Sequence, residues 1–219
     1  MKRFLLSTGV CALVLACLSL PFGCKPGKVV FMEDFESFSP GAWTAPGVWS
    51  AREDWGGIKP ELWTIVADGN KYLQAGQVST IIGAGDESWR DYTLSARVRP
   101  GNAAEHGIAV RYNASYDDYY ELCLTDWKDG KGVVKLWKIV DGQIQQLGKE
   151  VPFAYDFSTF YDLKIAIRGR SIKCYLNDAA KPLISYTDNG TILGNYLRNG
   201  KIGLYTQGNA AFDDVRVTM

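Results

Sequence analysis

Alternation of apolar and polar side chains with a two-residue period runs through most of this chain, and it is clearest from Trp89 to Asp126. Three runs carry it there, Tyr92–Arg99, Gly107–Tyr112 and Tyr119–Asp126, separated by polar connections that contain Gly or Asn. Successive side chains of a strand point to opposite faces, so each run predicts a strand with one packed and one polar side. In the first, Tyr92, Leu94, Ala96 and Val98 pack, while Thr93, Ser95, Arg97 and Arg99 face away. The same parity packs Ile108, Val110 and Tyr112 and turns Arg111 to the polar side. In the third run Tyr120, Leu122 and Leu124 pack, leaving Tyr119, Glu121, Cys123 and Thr125 opposite. One polar face bearing Arg97, Arg111, Tyr119 and Glu121 is therefore the expected functional surface.

The rest of the chain continues the pattern. Strands are predicted at Val29–Glu36, at Trp63–Val66 and Lys71–Ala75 about the turn Asp68-Gly69-Asn70, and at Gln77–Ile82. Val133–Val140 pairs with Gln143–Leu147 across Asp141-Gly142, a residue pair suited to a two-residue hairpin turn. Asp162–Arg168 and Ser171–Asn177 form a second hairpin. Its register is well specified, because a one-residue slip would turn Leu163, Ile165, Ile167, Ile172, Cys174 and Leu176 outward together. Pro182–Thr187, Lys201–Gln207 and Ala211–Val217 close the set. No stretch has helical spacing, although Asp188–Arg198 is a loop with room for one helical turn. No repeat of fixed period occurs, which argues against propellers and solenoids. Between Ser37 and Trp63 stand Trp43, Trp49, Trp55 and Trp63 among Gly and Pro, a composition that excludes a helix. These indoles either cover the sheet edges and pin a long loop, or one or two of them line a ligand cleft, since indole faces stack on sugar rings.

Length and charge narrow the reading. A chain of 219 residues suits one larger all-β domain that buries a core without needing disulfides or metals. With 24 basic and 24 acidic residues and no basic stripe, nucleic acid is not an expected partner. Lys2 and Arg3 precede an apolar run, Phe4–Ala16, of the length of a secretory signal and too short to span a bilayer comfortably. The run ends in Val14-Leu15-Ala16-Cys17, which resembles the bacterial lipobox and makes Cys17 the expected lipidated residue, with Cys24 a second candidate. The expected division is a signal peptide over 1–16, a tether over 17–28 and a single domain over 29–219. That places the protein in a bacterial cell envelope on a lipid anchor, or alternatively secreted. Cys123 and Cys174 fall in strand patterns, where each serves as a small buried hydrophobe or the two form a bridge. No zinc-ligand spacing is present.

Sugar recognition needs a planar aromatic, a bidentate donor and an acceptor carboxylate on rigid strands. Arg111, Tyr119 and Glu121 meet that need, with Arg97 beside them and Trp137, Tyr175 and Trp127 able to supply a stacking face. The competing reading is a cross-strand salt bridge from Arg111 to Glu121, worth little where exposed. His106, the single histidine, reads as a solvated residue in a turn between strands rather than a general base.

The order of these strands resembles the concanavalin A-like lectin and glucanase superfamily. The likeness rests on "EDFE", "W-x-D-Y-x-L-x-A-x-V", "G-I-x-V-R-Y", "Y-Y-E-L", "I-K-C-Y-L-N-D", "G-K-I-G-L-Y-T" and "F-D-D-V-R-V", across about Val29 to Val217. Within that superfamily the chain is similar to laminin G-like carbohydrate-binding modules and to the bacterial 3-keto-disaccharide hydrolase domain. The resemblance implies an all-β, two-sheet antiparallel jelly-roll sandwich of concanavalin A-like type. It also implies a structural calcium ion clipping the first strand to the last, with Glu36 (Asp34 as rival) and Asp213 at the matching positions; the alternative is that these acids merely solvate strand ends. The E-x-D-x-x-E of laminarinase-type members is missing, so the fold alone does not bring its catalytic pair. The expected function is an exported, monomeric carbohydrate-binding protein. Two alternatives stand beside it: a glycoside hydrolase or 3-keto-glycoside-cleaving enzyme using Glu121, Asp126 or a loop acid, and an adhesive or structural surface module.

Overall fold

The computed structural model describes residues 27–44, 48–51, 62–76, 79–102, 104–126 and 131–219. The predicted signal segment with Cys17 and Cys24, and also Trp55 and Trp127, lie outside the described residues. Strands are numbered along the chain. One sheet contains β1 (Val29–Glu33), β2 (Gly41–Ala42), β4 (Trp63–Asp68), β5 (Asn70–Ala75), β7 (Tyr92–Pro100), β13 (Tyr161–Arg168), β14 (Ser171–Leu176), β15 (Ile184–Thr187) and β17 (Ala210–Thr218). The other contains β3 (Ser50–Ala51), β6 (Ser79–Ala84), β8 (Glu105–Asn113), β9 (Asp118–Thr125), β10 (Val133–Val140), β11 (Gln143–Gln146), β12 (Val151–Pro152) and β16 (Lys201–Gln207). The first sheet runs β15-β14-β13-β7-β17-β5-β4-β2, with β1 also on β17; the second runs β11-β10-β9-β8-β16-β6-β3, with β12 also on β10. Every pairing is antiparallel, and the fold is a two-sheet jelly roll of the concanavalin A-like type. No α-helix occurs among the described residues, and Asp188–Arg198 is irregular throughout.

The core lies between the sheets and is built by the predicted alternation. Leu94, Val98, Leu163, Ile165, Ile172 and Cys174 from the first sheet meet Ile108, Val110, Leu122, Leu124, Val134 and Leu204 from the second. Each fully buried side chain of this kind contributes about 1.5–3 kcal/mol, enough to hold both registers without covalent help. The β13–β14 hairpin pairs Leu163 with Leu176, Ile165 with Cys174 and Ile167 with Ile172, the register that the sequence pattern demands. Cys123 and Cys174 are both free thiols. Trp43, Trp49 and Trp63 are buried; Trp43 packs edgewise against Phe35 at 6.0 Å and Trp49 against Phe31 at 5.7 Å, while Trp63 lies tilted against Phe212 at 6.2 Å. These three therefore cover the sandwich and line no cleft.

A bulge in β8 overturns part of the predicted face. Arg111 has φ 54° and is the extra residue in the ladder, since Val110 pairs with Ile202 while Tyr112 pairs with Lys201. One added residue reverses the alternation beyond it. Arg111 consequently turns inward, and Tyr112, predicted to pack in the core, joins the opposite face with Tyr119 at 5.8 Å.

Candidate functional site

The face of the second sheet turned away from the core carries a compact set of reactive side chains. Cross-strand register sets it: Glu121 of β9 lies between Ala109 of β8 and Trp137 of β10, and Cys123 lies between Gly107 and Lys135. A Cβ at Gly107 would stand 2.2 Å from the Leu122 carbonyl oxygen and 2.9 Å from the Cys123 Cβ, so only glycine lets β8 and β9 close up here. Glu105, two residues upstream on the same face, reaches across that gap. Its Oε1 accepts hydrogen bonds from Cys123 Sγ at 2.9 Å and from the Trp137 indole Nε1.

Glu105, Glu121 and Cys123 place one carboxylate oxygen each and the sulfur within 4.8 Å of one another. Glu121 is only 2% exposed, and its Oε1 has no hydrogen-bond partner among the described residues. Burial, and then the charge of Glu105, push the Glu121 carboxyl well above the usual range. Burial followed by the two carboxylates does the same to the Cys123 thiol. Tyr119 and Tyr205 flank the cluster with ring centroids 6.5 Å apart. Lys135 sits 5.2 Å above the Trp137 ring and pairs with Glu150 at 3.4 Å. Trp137 and Lys135 keep partial exposure, so the face is approached from the β10 side.

Of the residues predicted from sequence, Glu121, Tyr119 and Trp137 come together here. Arg111 does not join them. It is 1% exposed, and its guanidinium donates to the carbonyls of Arg90 (2.9 Å), Gly169 (2.8 Å) and Leu197, which makes it a structural pin. The competing reading, an Arg111–Glu121 salt bridge, is thereby excluded as well; Arg111 instead pairs with Asp91 at 3.5 Å. Arg97 belongs to β7 in the other sheet, where it pairs with Asp213 at 3.3 Å and stacks over Phe160 at 4.8 Å. Tyr175 is on β14 of that sheet as well, beneath the Lys164 ammonium at 4.6 Å. The two sheets' outer faces are opposite sides of the sandwich, so no single surface holds all of these residues. His106 is not in a solvated turn. It is buried in β8, bonded to Thr206 Oγ1 at 2.9 Å and Asn102 O at 3.3 Å, and burial lowers its pKa to about 4.

Glu105 and Tyr205 were not singled out from sequence. Glu105 precedes the run Gly107–Tyr112, and extending that run upstream by one alternation puts it on the face of Glu121. Of the predicted calcium pair, Asp213 is 1% exposed and accepts from Asn70 Nδ2 at 2.8 Å as well as from Arg97, while Glu36 Oε1 accepts the Lys71 amide at 2.8 Å. Burial pushes the Asp213 carboxyl up to about 6; the Asp214 amide and Arg97 oppose this, and the charges of Asp214 and Glu36 add to it.

The fold defines a two-sheet β-sandwich of the concanavalin A-like class. Residues 33–218 match the 3-keto-alpha-glucoside-1,2-lyase-like domain, and the chain belongs to that family. No curated protein matches the sequence. Among solved structures it is similar to the carbohydrate binding module CBM66 from Bacillus subtilis, at 19% identity and TM-score 0.60, covering 78% of this chain and 95% of that one. It is also similar to a glycosyl hydrolase family 16 protein from Mycobacterium smegmatis, at 14% identity and TM-score 0.61, covering 87% and 100%. A beta-1,3-glucanase from Mycobacterium marinum matches at 12% identity and TM-score 0.60, covering 88% and 100%. At these identities the likeness is one of fold.

Proposed function

We propose that the protein binds a carbohydrate on the outer face of the second sheet, entering from the β10 side. The observation that carries this reading is the joining of a partly exposed indole, Trp137, to a carboxylate, Glu105, by a direct hydrogen bond, with the Lys135 ammonium over the ring. A sugar needs that combination: an aromatic plate for its C–H surface, an acceptor and a donor for its hydroxyls. Membership of a family described by a glucoside lyase, and the likeness to a carbohydrate binding module, support it. A glycan array with the folded protein tests it; retention on no glycan would remove the reading. As to place, we propose export with lipid attachment at Cys17 and a monomeric state, tested by radiolabelled fatty acid incorporation that Cys17→Ala abolishes and by sedimentation.

A second reading, cleavage of a 3-keto-glycoside, is favoured by the Glu105 and Glu121 carboxylates lying within 4.8 Å of each other. The C3 carbonyl of such a substrate acidifies the C2 proton. Transfer of that proton to one carboxylate, with rupture of the C1–O bond and protonation of the departing oxygen, gives an unsaturated ketone and a free alcohol. Incubation with a 3-keto-α-glucoside, followed by the enone absorbance, tests it, and turnover that persists in Glu121→Gln would remove Glu121 from the chemistry.

A further inference from the structure

The sugar reading uses Trp137, Lys135 and Glu105; on the floor of the face Cys123 has no task in either reading, and Glu121 has one only in the second. On the floor two carboxylates and a thiol are crowded together at 8%, 2% and 0% exposure. Burying two acids side by side is expensive without a cation or a full set of hydrogen bonds. Glu105 has donors, whereas Glu121 Oε1 has none among the described residues. An unpartnered buried acceptor on a carboxylate that lies within 4.8 Å of a second carboxylate and a sulfur is an arrangement that a metal ion completes.

We propose that Glu105, Glu121 and Cys123 form a binding site for a divalent transition-metal ion, zinc first among them. Sulfur selects against magnesium and calcium, which take oxygen ligands, while zinc accepts thiolate and carboxylate together. Around a tetrahedral zinc, with bonds of about 2.3 Å to sulfur and about 2.1 Å to oxygen, neighbouring ligand atoms stand about 3.6 Å apart. The three ligand atoms already lie within 4.8 Å of one another, so side-chain rotation without strand movement closes the site. On binding, the thiol proton between Cys123 Sγ and Glu105 Oε1 and the carboxyl proton of Glu121 leave to solvent, and the sulfur and both carboxylates ligate as anions. The Trp137 indole, bonded to Glu105, fixes that ligand's orientation from the second layer. Three protein ligands leave a fourth position for water or a sugar oxygen, as catalytic rather than structural zinc sites do. The site holds whether or not a sugar occupies the rim.

The test titrates the full chain, stripped with a chelator and dialysed, with cobalt(II), and follows absorbance. A stoichiometric thiolate-to-cobalt charge-transfer band in the near ultraviolet is expected, displaced by zinc and unaffected by magnesium. Cys123→Ser should lose the band, and Glu121→Gln should weaken binding at least tenfold while retaining it. Both substitutions are close to isosteric, and far-ultraviolet circular dichroism of the metal-free proteins checks their folding; should either fail to fold, Glu105→Gln gives the same reading through the third ligand. Absence of the band in wild type, or a band surviving Cys123→Ser, overturns the proposal. Glycan retention by metal-free protein that equals that of the zinc form leaves the sugar reading standing and limits the ion to the floor.

Discussion

The backbone N–H of Arg111 donates to the Tyr92 hydroxyl at 2.6 Å, so the bulge that redirects Arg111 is fastened to β7 of the opposite sheet. The same hydroxyl lies 3.2 Å from Gly200 O and 3.1 Å from Lys201 O. Gly200 must be glycine, because a Cβ there would approach the Arg111 carbonyl carbon to 2.4 Å. A left-handed arginine is thus held by a buried tyrosine behind it and a bare backbone in front.

Arg111→Met is expected to destabilise the fold by about 3 kcal/mol or more, since it removes a buried charged donor that ties carbonyls at three separate places. Arg111→Lys should recover only part, because a single ammonium cannot span the carbonyls of Arg90, Gly169 and Leu197. Urea unfolding of the variants measures this. A loss under 1 kcal/mol for Arg111→Met would show that the fork does not hold the end of the sandwich.

A second buried cation fixes the same irregular segment. Lys138 Nζ pairs with Asp188 Oδ2 at 2.9 Å and donates to Ile192 O at 2.7 Å, and Tyr120 donates to the same carboxylate at 2.6 Å. Burial works against the charged form of Asp188, but the hydrogen bonds from Tyr120 and Lys138 outweigh it and lower its pKa below 3.8. A depressed carboxyl contributes its stability in full above the unfolded value and loses it as pH falls through the folded one. Wild type should therefore lose stability progressively on acidification below about pH 3.8, whereas Asp188→Asn, weaker by about 3 kcal/mol at pH 7, should lack that component. Equal acid slopes for the two proteins would refute the assignment.

Strands and inner face were legible because period-two burial is a local property: Leu163 to Leu176 could be paired from the sequence alone, and every predicted strand is present at least in part. Which face of which sheet a residue occupies was legible only where the ladder stays regular. Arg111-Tyr112-Asn113 contains no glycine or proline to announce a bulge, so the parity that correctly placed Tyr119, Glu121 and Cys123 misplaced Arg111 and Tyr112. Arg97 failed for a different reason. β7 and β8 are consecutive in the chain but belong to different sheets, and alternation within a strand does not reveal sheet membership. Glu105 lay one alternation beyond the predicted start of β8, where the pattern gives its face, while its contacts with Cys123 and Trp137 show its place in the cluster.

The separation of the two outer faces predicts a clean mutational contrast. Trp137→Ala should weaken glycan retention about tenfold, equivalent to about 1.4 kcal/mol, through loss of the stacking plate. Arg97→Ala and Tyr175→Ala, on the opposite side of the sandwich, should leave retention within about twofold of wild type, a difference near the noise for distant independent sites. Calorimetric titration with a glycan identified on the array decides between the faces. A large loss in Arg97→Ala with Trp137→Ala unaffected would move the site to the first sheet.

The proposed calcium clip at Glu36 and Asp213 makes its own prediction. Asp213 sits at the bulge where β17 passes from pairing with β5 to pairing with β1, so an ion there would tie Glu36, just beyond β1, to the terminal strand. Asp213 already has Asn70 and Arg97 as partners, and calcium must bring oxygen ligands in addition, from backbone carbonyls or water. Millimolar calcium is expected to raise the melting temperature of wild type and to leave Asp213→Ala unchanged, with magnesium ineffective in both. At a calcium concentration about 100 times its dissociation constant the gain is about 2.7 kcal/mol, large enough to read as a shift of several degrees. An equal rise in Asp213→Ala, or none in wild type, would show that Arg97, Asn70 and the Asp214 amide complete this carboxylate without an ion.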